Sequence, residues 1–144
     1  MRKALVVAAG LATLVMPMSP ANATAAGSGV IDHSCGPKIN LEIAGGEKQI
    51  GYAEVGSGFV NLWMSKDRPY KGRKIYYSTA RLKRGEKITL DWSDTGGRTW
   101  HGCYAKPDRW GRAQTWAVDQ WGGRSFRGCV YSGRWKCTGW KSFT

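Results

Sequence analysis

The chain has 144 residues, with 22 Lys and Arg against 10 Asp and Glu for a formal charge of +12, four cysteines and eight tryptophans. That length suits a single domain that buries roughly two-thirds of its unfolded surface. Cys35, Cys103, Cys129 and Cys137 lack the paired Cys-x-x-Cys spacing of a zinc site, so neither a metal nor any other cofactor is expected.

Residues 1–23 open with Arg2 and Lys3, continue through an apolar run from Ala4 to Met16 and close on Ala21-Asn22-Ala23. This is the pattern of a secretory signal peptide, cleaved after Ala23 or, alternatively, Ala25. The apolar run is well short of the ~20 residues that a spanning helix needs, and no later segment is apolar enough, so no transmembrane segment is expected. The protein reads as secreted and extracellular, and its four cysteines as two disulfides. Arg2 and Lys3 leave with the signal while no acid does, so the mature chain keeps a charge of about +10. Outside the cell such a field suits anionic cell-wall polymers, acidic glycans, anionic lipid surfaces and, through charge, nucleic acid. The plain alternative is that a basic exterior keeps an exported protein in solution.

Residues 24–34 are small and polar and read as a flexible tail leading into one β domain over residues 35–144. Apolar residues then recur at period two in Ile39, Leu41 and Ile43, in Phe59 through Met64, and in Ile88, Leu90 and Trp92, the signature of strands. Turn-rich pieces at residues 44–47, 56–58, 66–74 and 83–86 separate them, and residues 79–84 could form one helical turn. The basic loop at residues 66–74, with Tyr70, Tyr76 and Tyr77, reads as a cationic patch interleaved with aromatics. From residue 87 onward the chain reads as a meander with strands near 87–92, 99–105, 113–118, 125–131 and 135–140. The fold class is therefore all-β, a small antiparallel sandwich or barrel-like domain.

Within the meander, Gly-Gly-Arg-Thr-Trp-His-Gly-Cys-Tyr from Gly96 returns as Gly-Gly-Arg-Ser-Phe-Arg-Gly-Cys-Val from Gly122. The match aligns Arg98 with Arg124, Trp100 with Phe126 and Cys103 with Cys129, and makes residues 96–121 and 122–144 an internal repeat. Shared turn geometry, core position and cysteine orientation follow as expectations. A third strand between Cys103 and Cys129 would hold them too far apart to bond. A three-residue loop at residues 132–134 puts Cys129 opposite Cys137, so the expected bridges are Cys129–Cys137 and Cys35–Cys103.

Trp92, Trp100, Trp116 and Trp140 lie in strand patterns and read as core. Trp110, Trp121 and Trp135 lie in or beside turns, where an exposed ring needs a reason. Arg109-Trp110 and Arg134-Trp135, with Arg112, Lys106 and Lys136 nearby, fall at one end of the meander. Flat rings stack on sugar faces, and guanidinium forks bind carboxylate or phosphate bidentately. The bland reading is that each Arg stacks on its own Trp. Trp121 and Arg124 form a lesser candidate at the opposite end.

The catalytic inventory is thin. No Gly-x-Ser-x-Gly elbow is present, and no spacing selects a carboxylate pair from Glu42, Glu47, Glu54, Glu86 and Asp91. A ribonuclease-like site could use His101 with Glu86 or Glu54. The chain thus reads as a secreted, monomeric, non-catalytic binding module for an anionic or glycan polymer. Its alternatives are a toxin-like hydrolase, foremost a ribonuclease, and an inhibitor or antimicrobial protein. In its signal, its four cysteines and its closing Gly-Arg-Trp-Lys-Cys-Thr-Gly-Trp, the sequence resembles small secreted exoproteins of filamentous actinobacteria with no assigned activity. The resemblance implies secretion and β structure and transfers no functional residue.

Overall fold

The computed structural model describes residues 29–143 apart from 37, 42–44 and 57. The expected signal peptide and its cleavage site lie outside them. Among the described residues there are eleven strands and no α-helix. One sheet runs in the order β1 (Val30–Asp32), β6 (Trp100–Ala105), β5 (Lys87–Ser93), β9 (Ser125–Tyr131) and β10 (Trp135–Cys137), with β11 (Lys141–Ser142) also paired to β9. The other runs β2 (Glu47–Val55), β3 (Gly58–Tyr70), β4 (Arg73–Arg81) and β7 (Arg112–Gln114), with β8 (Val118–Asp119) on β4. The two sheets do not close into a barrel, so the all-β expectation resolves to a sandwich.

Alternation places the core. Ile88, Leu90 and Trp92 of β5 pack with Val130 and Phe126 of β9 against Val60, Leu62, Tyr76 and Ala80 of the other sheet. Each of the Val, Leu, Ile and Phe side chains among them contributes about 1.5–3 kcal/mol on full burial. The Tyr76 ring stacks on Phe126 at 4.0 Å between centroids. Close approach of the sheets requires Gly128, where a Cβ would lie 2.7 Å from Ser78 Oγ and 3.1 Å from Val60 Cγ2.

Several expectations are corrected. β2 and β4 were not legible as strands, and residues 79–81 belong to β4 rather than to a helical turn. Tyr76 and Tyr77 are buried core residues, because β4 lies in the middle of its sheet and packs both faces. Val30–Asp32, inside the expected loose tail, pairs parallel to β6, with the Trp100 N–H donating to Gly29 O at 2.7 Å. The chain from residue 87 is not a continuous meander. Residues 112–119 leave the first sheet and extend β4, where Thr115 N–H donates to Ser78 O and Ser78 N–H donates to Thr115 Oγ1, both at 3.0 Å. Trp116 consequently points outward, 46% exposed, between buried Thr115 and Ala117.

β6 and β9 therefore flank the same strand, β5, one on each side. Leu90 lies opposite Cys103 on β6 and Gly128 on β9, while Cys129 lies opposite Thr89. The two related segments are thus out of phase by one residue, and a one-residue shift exchanges faces. Cys103 enters the core cluster, whereas Cys129 sits on the outer face beside Asp91. Phe126 fills the core and Trp100 lies outside it. The expected common core position and cysteine orientation are not what this register allows.

Both expected disulfides are present. Cys35–Cys103 ties the N-terminal segment to β6 across a sequence separation of 68, and Cys129–Cys137 staples the β9–β10 hairpin across 8. On the chain-entropy account the longer loop is worth about 4 kcal/mol and the shorter about 2.5 kcal/mol. Urea unfolding of Cys35→Ala with Cys103→Ala should therefore lose more stability than Cys129→Ala with Cys137→Ala; equal losses would contradict this ordering.

Candidate functional site

At the end of the sandwich where β5 begins, two neighbouring clefts open. The larger, of about 730 Å³, is lined by Arg84, Glu86, Lys87, Lys106, Asp108 and Arg109 among others. The second, of about 470 Å³, shares Asp108 and is lined by Phe59, Arg81 and Arg112. Their acids are already engaged. Glu86 accepts from Lys83 N–H at 2.7 Å and from the Ser132 hydroxyl. Asp108 accepts from the N–H groups of Trp110 and Arg112 at 2.8 and 2.9 Å and pairs with the Arg112 side chain at 3.5 Å. The Ser132 hydrogen bond holds the Glu86 carboxyl below its ordinary value, and the Arg112 N–H does the same for Asp108. Both acids stay ionised and internally matched, and no ion pair among the described residues engages Arg81, Arg84, Lys87, Lys106, Arg109 or Arg134. Arg84, Lys87, Lys106 and Arg109 thus line the larger cleft without an ion-pair partner, beside the carboxylates of Glu86 and Asp108.

Beside them the outer face of the first sheet carries a run of touching rings. Tyr131 and Trp135, directly opposite each other, have centroids 5.3 Å apart; Trp135 meets Tyr104 edge-on at 6.0 Å, and Tyr104 meets His33 at 4.9 Å. All four side chains are exposed, Trp135 by 44%. Tyr131 is also opposite Lys87, which lines the larger cleft, so rings and cations join into one surface. Trp110, 66% exposed, lies under its neighbour's guanidinium, Arg109 Cζ standing 4.9 Å from the ring centroid.

A buried ion pair lies on the same face of the sheet. Arg127 Nε donates to Asp91 Oδ2 at 2.8 Å, Thr89 donates to Asp91 Oδ1 at 2.9 Å, and the Arg127 guanidinium contacts both the Trp100 and Trp140 rings at 4.6 and 4.5 Å. Trp140 in turn lies against Gly97, whose φ of +91° and whose lack of space for a Cβ both require glycine. Burial raises the Asp91 carboxyl above its ordinary value, and the charge and hydrogen bond of Arg127 only partly offset this. Trp100 and Trp140, expected in the core, are instead half-buried covers over a buried ion pair.

The residues expected at this end divide between two supports. Arg109, Trp110 and Arg112 belong to the cleft loop, while Arg134 and Trp135 belong to the β9–β10 hairpin, which Ser132 links to Glu86. Trp110 keeps to its own arginine, whereas Trp135 packs on tyrosines rather than on Arg134. Tyr104 and Tyr131 were not singled out in the sequence; their signal was alternation against the buried Cys103 and Val130.

Trp121 and Arg124 sit at the opposite end, with Arg124 Nε on Asp94 at 2.8 Å and Arg73 Cζ 3.7 Å from the Trp121 ring. His101 does not meet Glu86: it lies opposite Trp92, six residues along β5 from Glu86, about 20 Å of extended chain. Its partner is Asp32, at 2.8 Å from Nδ1, and its ring stacks on Trp92 at 3.9 Å. Among the described residues no cluster of three His, Cys, Asp or Glu side chains could hold a metal ion, and no helix is long and apolar enough to cross a membrane. No protein-family model, curated protein or solved structure matches this chain.

Two expected outcomes follow from the ion pairs. Arg127→Met should cost about 3–5 kcal/mol by leaving Asp91 buried without its counter-charge, and adding Asp91→Asn should restore much of it; denaturant unfolding of both proteins would reveal a failure if the double variant is the weaker. The Asp32 carboxyl is held below its ordinary 3.8 by the hydrogen bond with His101, so its contribution is complete above 3.8 and lost as pH falls through the lowered value. Asp32→Asn should accordingly speed amide exchange at Trp100 near neutral pH, and the difference from the parent protein should vanish in acid.

Proposed function

We propose that the protein is a secreted, non-catalytic binding module for an anionic or glycan polymer, a cell-wall component or an extracellular polysaccharide. The observation that carries this reading is the continuity of Tyr104, Trp135 and Tyr131 with a cleft whose cations, Arg84, Lys87, Lys106 and Arg109, lack acidic partners. Exposed rings in mutual contact offer sugar rings an apolar face at little conformational cost, since their neighbours already restrict them. The adjacent cations attract carboxylate or phosphate from a distance, and Arg109 and Arg112 can grip it bidentately. Export through the amino-terminal signal would place this surface among such polymers, and the two disulfides suit an oxidising compartment. A hydrolase built on His101 and Glu86 has no support in the geometry, because the two lie at opposite ends of β5.

Co-sedimentation with purified cell wall, and affinity electrophoresis in acidic polysaccharide, would test the reading. Binding should weaken from low to high salt as the electrostatic part is screened. Trp135→Ala combined with Trp110→Ala should weaken it by about tenfold or more, the loss expected for central aromatic contacts. Binding that ignores both salt and these substitutions would refute the site.

A further inference from the structure

The end of the sandwich remote from the clefts repeats their chemistry with different residues. There the β3–β4 hairpin turns at Lys71 and Gly72, both at positive φ, and carries exposed Lys66, Lys71 and Lys74. Lys74 O accepts from Gln120 N–H at 2.8 Å, which seats the hairpin beside Trp121, an indole 56% exposed and capped by Arg73. Two acids of this end are held by arginines, while Glu47, opposite Ser65, meets Tyr77. Asp119, buried, takes Arg73 at 2.8 Å and Arg124 at 3.6 Å, and Asp94 takes Arg124 at 2.8 Å. Lys66, Lys71, Lys74 and Arg98 appear in no ion pair among the described residues.

The two ends are far enough apart to act separately. From Lys87, beside the clefts, to Ser93, beside the remote loops, β5 spans about 20 Å. That is more than twice the ~8 Å over which exposed charges interact at physiological ionic strength. Each end therefore presents its own field and its own exposed indole, and the rigid sheet between them keeps them facing away from each other.

We propose that this remote end is a second polyanion-binding surface, and that the protein bridges two chains of an acidic polysaccharide, one at each end. The bridging half of the proposal rests on the polymer-binding reading of the cleft end; the second surface does not. The ligand at this end is an anionic polymer rather than a single small anion, because its cations are spread along a hairpin and a neighbouring loop instead of converging in a pocket. Trp121 supplies the ring on which a sugar unit would rest, with Lys66, Lys71 and Lys74 tracking the charges that flank it.

The test uses the mature protein and polygalacturonate, both in solution and on a resin. Wild-type protein should turn a polygalacturonate solution turbid at intermediate ratios and clear it again in excess, as a bivalent linker does. Lys66→Glu with Lys71→Glu and Lys74→Glu, all on an exposed tip, should still be retained on the resin but should abolish the turbidity; unchanged near-ultraviolet circular dichroism would show the fold intact. Trp135→Ala with Arg109→Ala should also remain on the resin, now through the remote end, and be released when the three lysine reversals are added. Retention of that combined variant at the level of Trp135→Ala with Arg109→Ala overturns the second surface. Soluble complexes of the wild type at every ratio, as from one chain wrapping both ends, overturn bridging. Should Trp135→Ala with Arg109→Ala bind and clarify like the wild type, the cleft-end reading falls while the second surface stands.

Discussion

Everything in this fold depends on the phase of β5 relative to its two neighbours. β5 offers Ile88, Leu90 and Trp92 to the core and Thr89 and Asp91 to the outside. β6 and β9 carry related sequences on either side of it, shifted by one residue, so matched positions fall on opposite faces. One copy spends its cysteine inside, where Cys103 anchors the N-terminal segment. The other spends it outside, where Cys129 staples β10 alongside β9. The same shift sends Phe126 inward to stack on Tyr76 and leaves Trp100 outside, over Asp91 and Arg127. A sequence that reads as a simple repetition thereby builds two different surfaces.

The outer face gains its order from a buried charge. Asp91 is almost fully covered although it points away from the core, because Arg127 and two indoles close over it. Such a pair contributes little net stability when intact, since desolvation offsets attraction, but it costs dearly when halved. Its consequence here is positional: the pair holds the Trp100 and Trp140 rings over the outer face, while Tyr104 and Tyr131, on β6 and β9, are presented by sheet rather than by loop.

The distribution of charge follows from how few acids there are. Asp32, Asp91, Asp94, Asp108 and Asp119 each pair with an arginine or a histidine of the fold, and Glu86 is held by a hydroxyl and a backbone amide. Glu47 and Glu54 enter no ion pair among the described residues, and the lysines and arginines without a partner include those lining the clefts and those of the β3–β4 hairpin.

The linear chain determined what local chemistry decides: β structure from period two, turns from Gly, Asp and Ser, exposure of Trp110, Trp121 and Trp135 from their place in turns, and both disulfides, because a three-residue hairpin sets the Cys129–Cys137 register by itself. Tertiary structure decided what depends on strands distant in sequence. Residues 112–119 carry the alternation of a meander strand, yet they left it for the free edge of β4; a period-two pattern says which faces are apolar but not which edge a strand joins. The position of Trp100, Trp116 and Tyr76, the pairing of His101 with Asp32 rather than Glu86, and the contact of Tyr104 with Trp135 all hang on that choice, because hydrogen-bond partners across a sheet are set by whole-domain packing and not by neighbours along the chain.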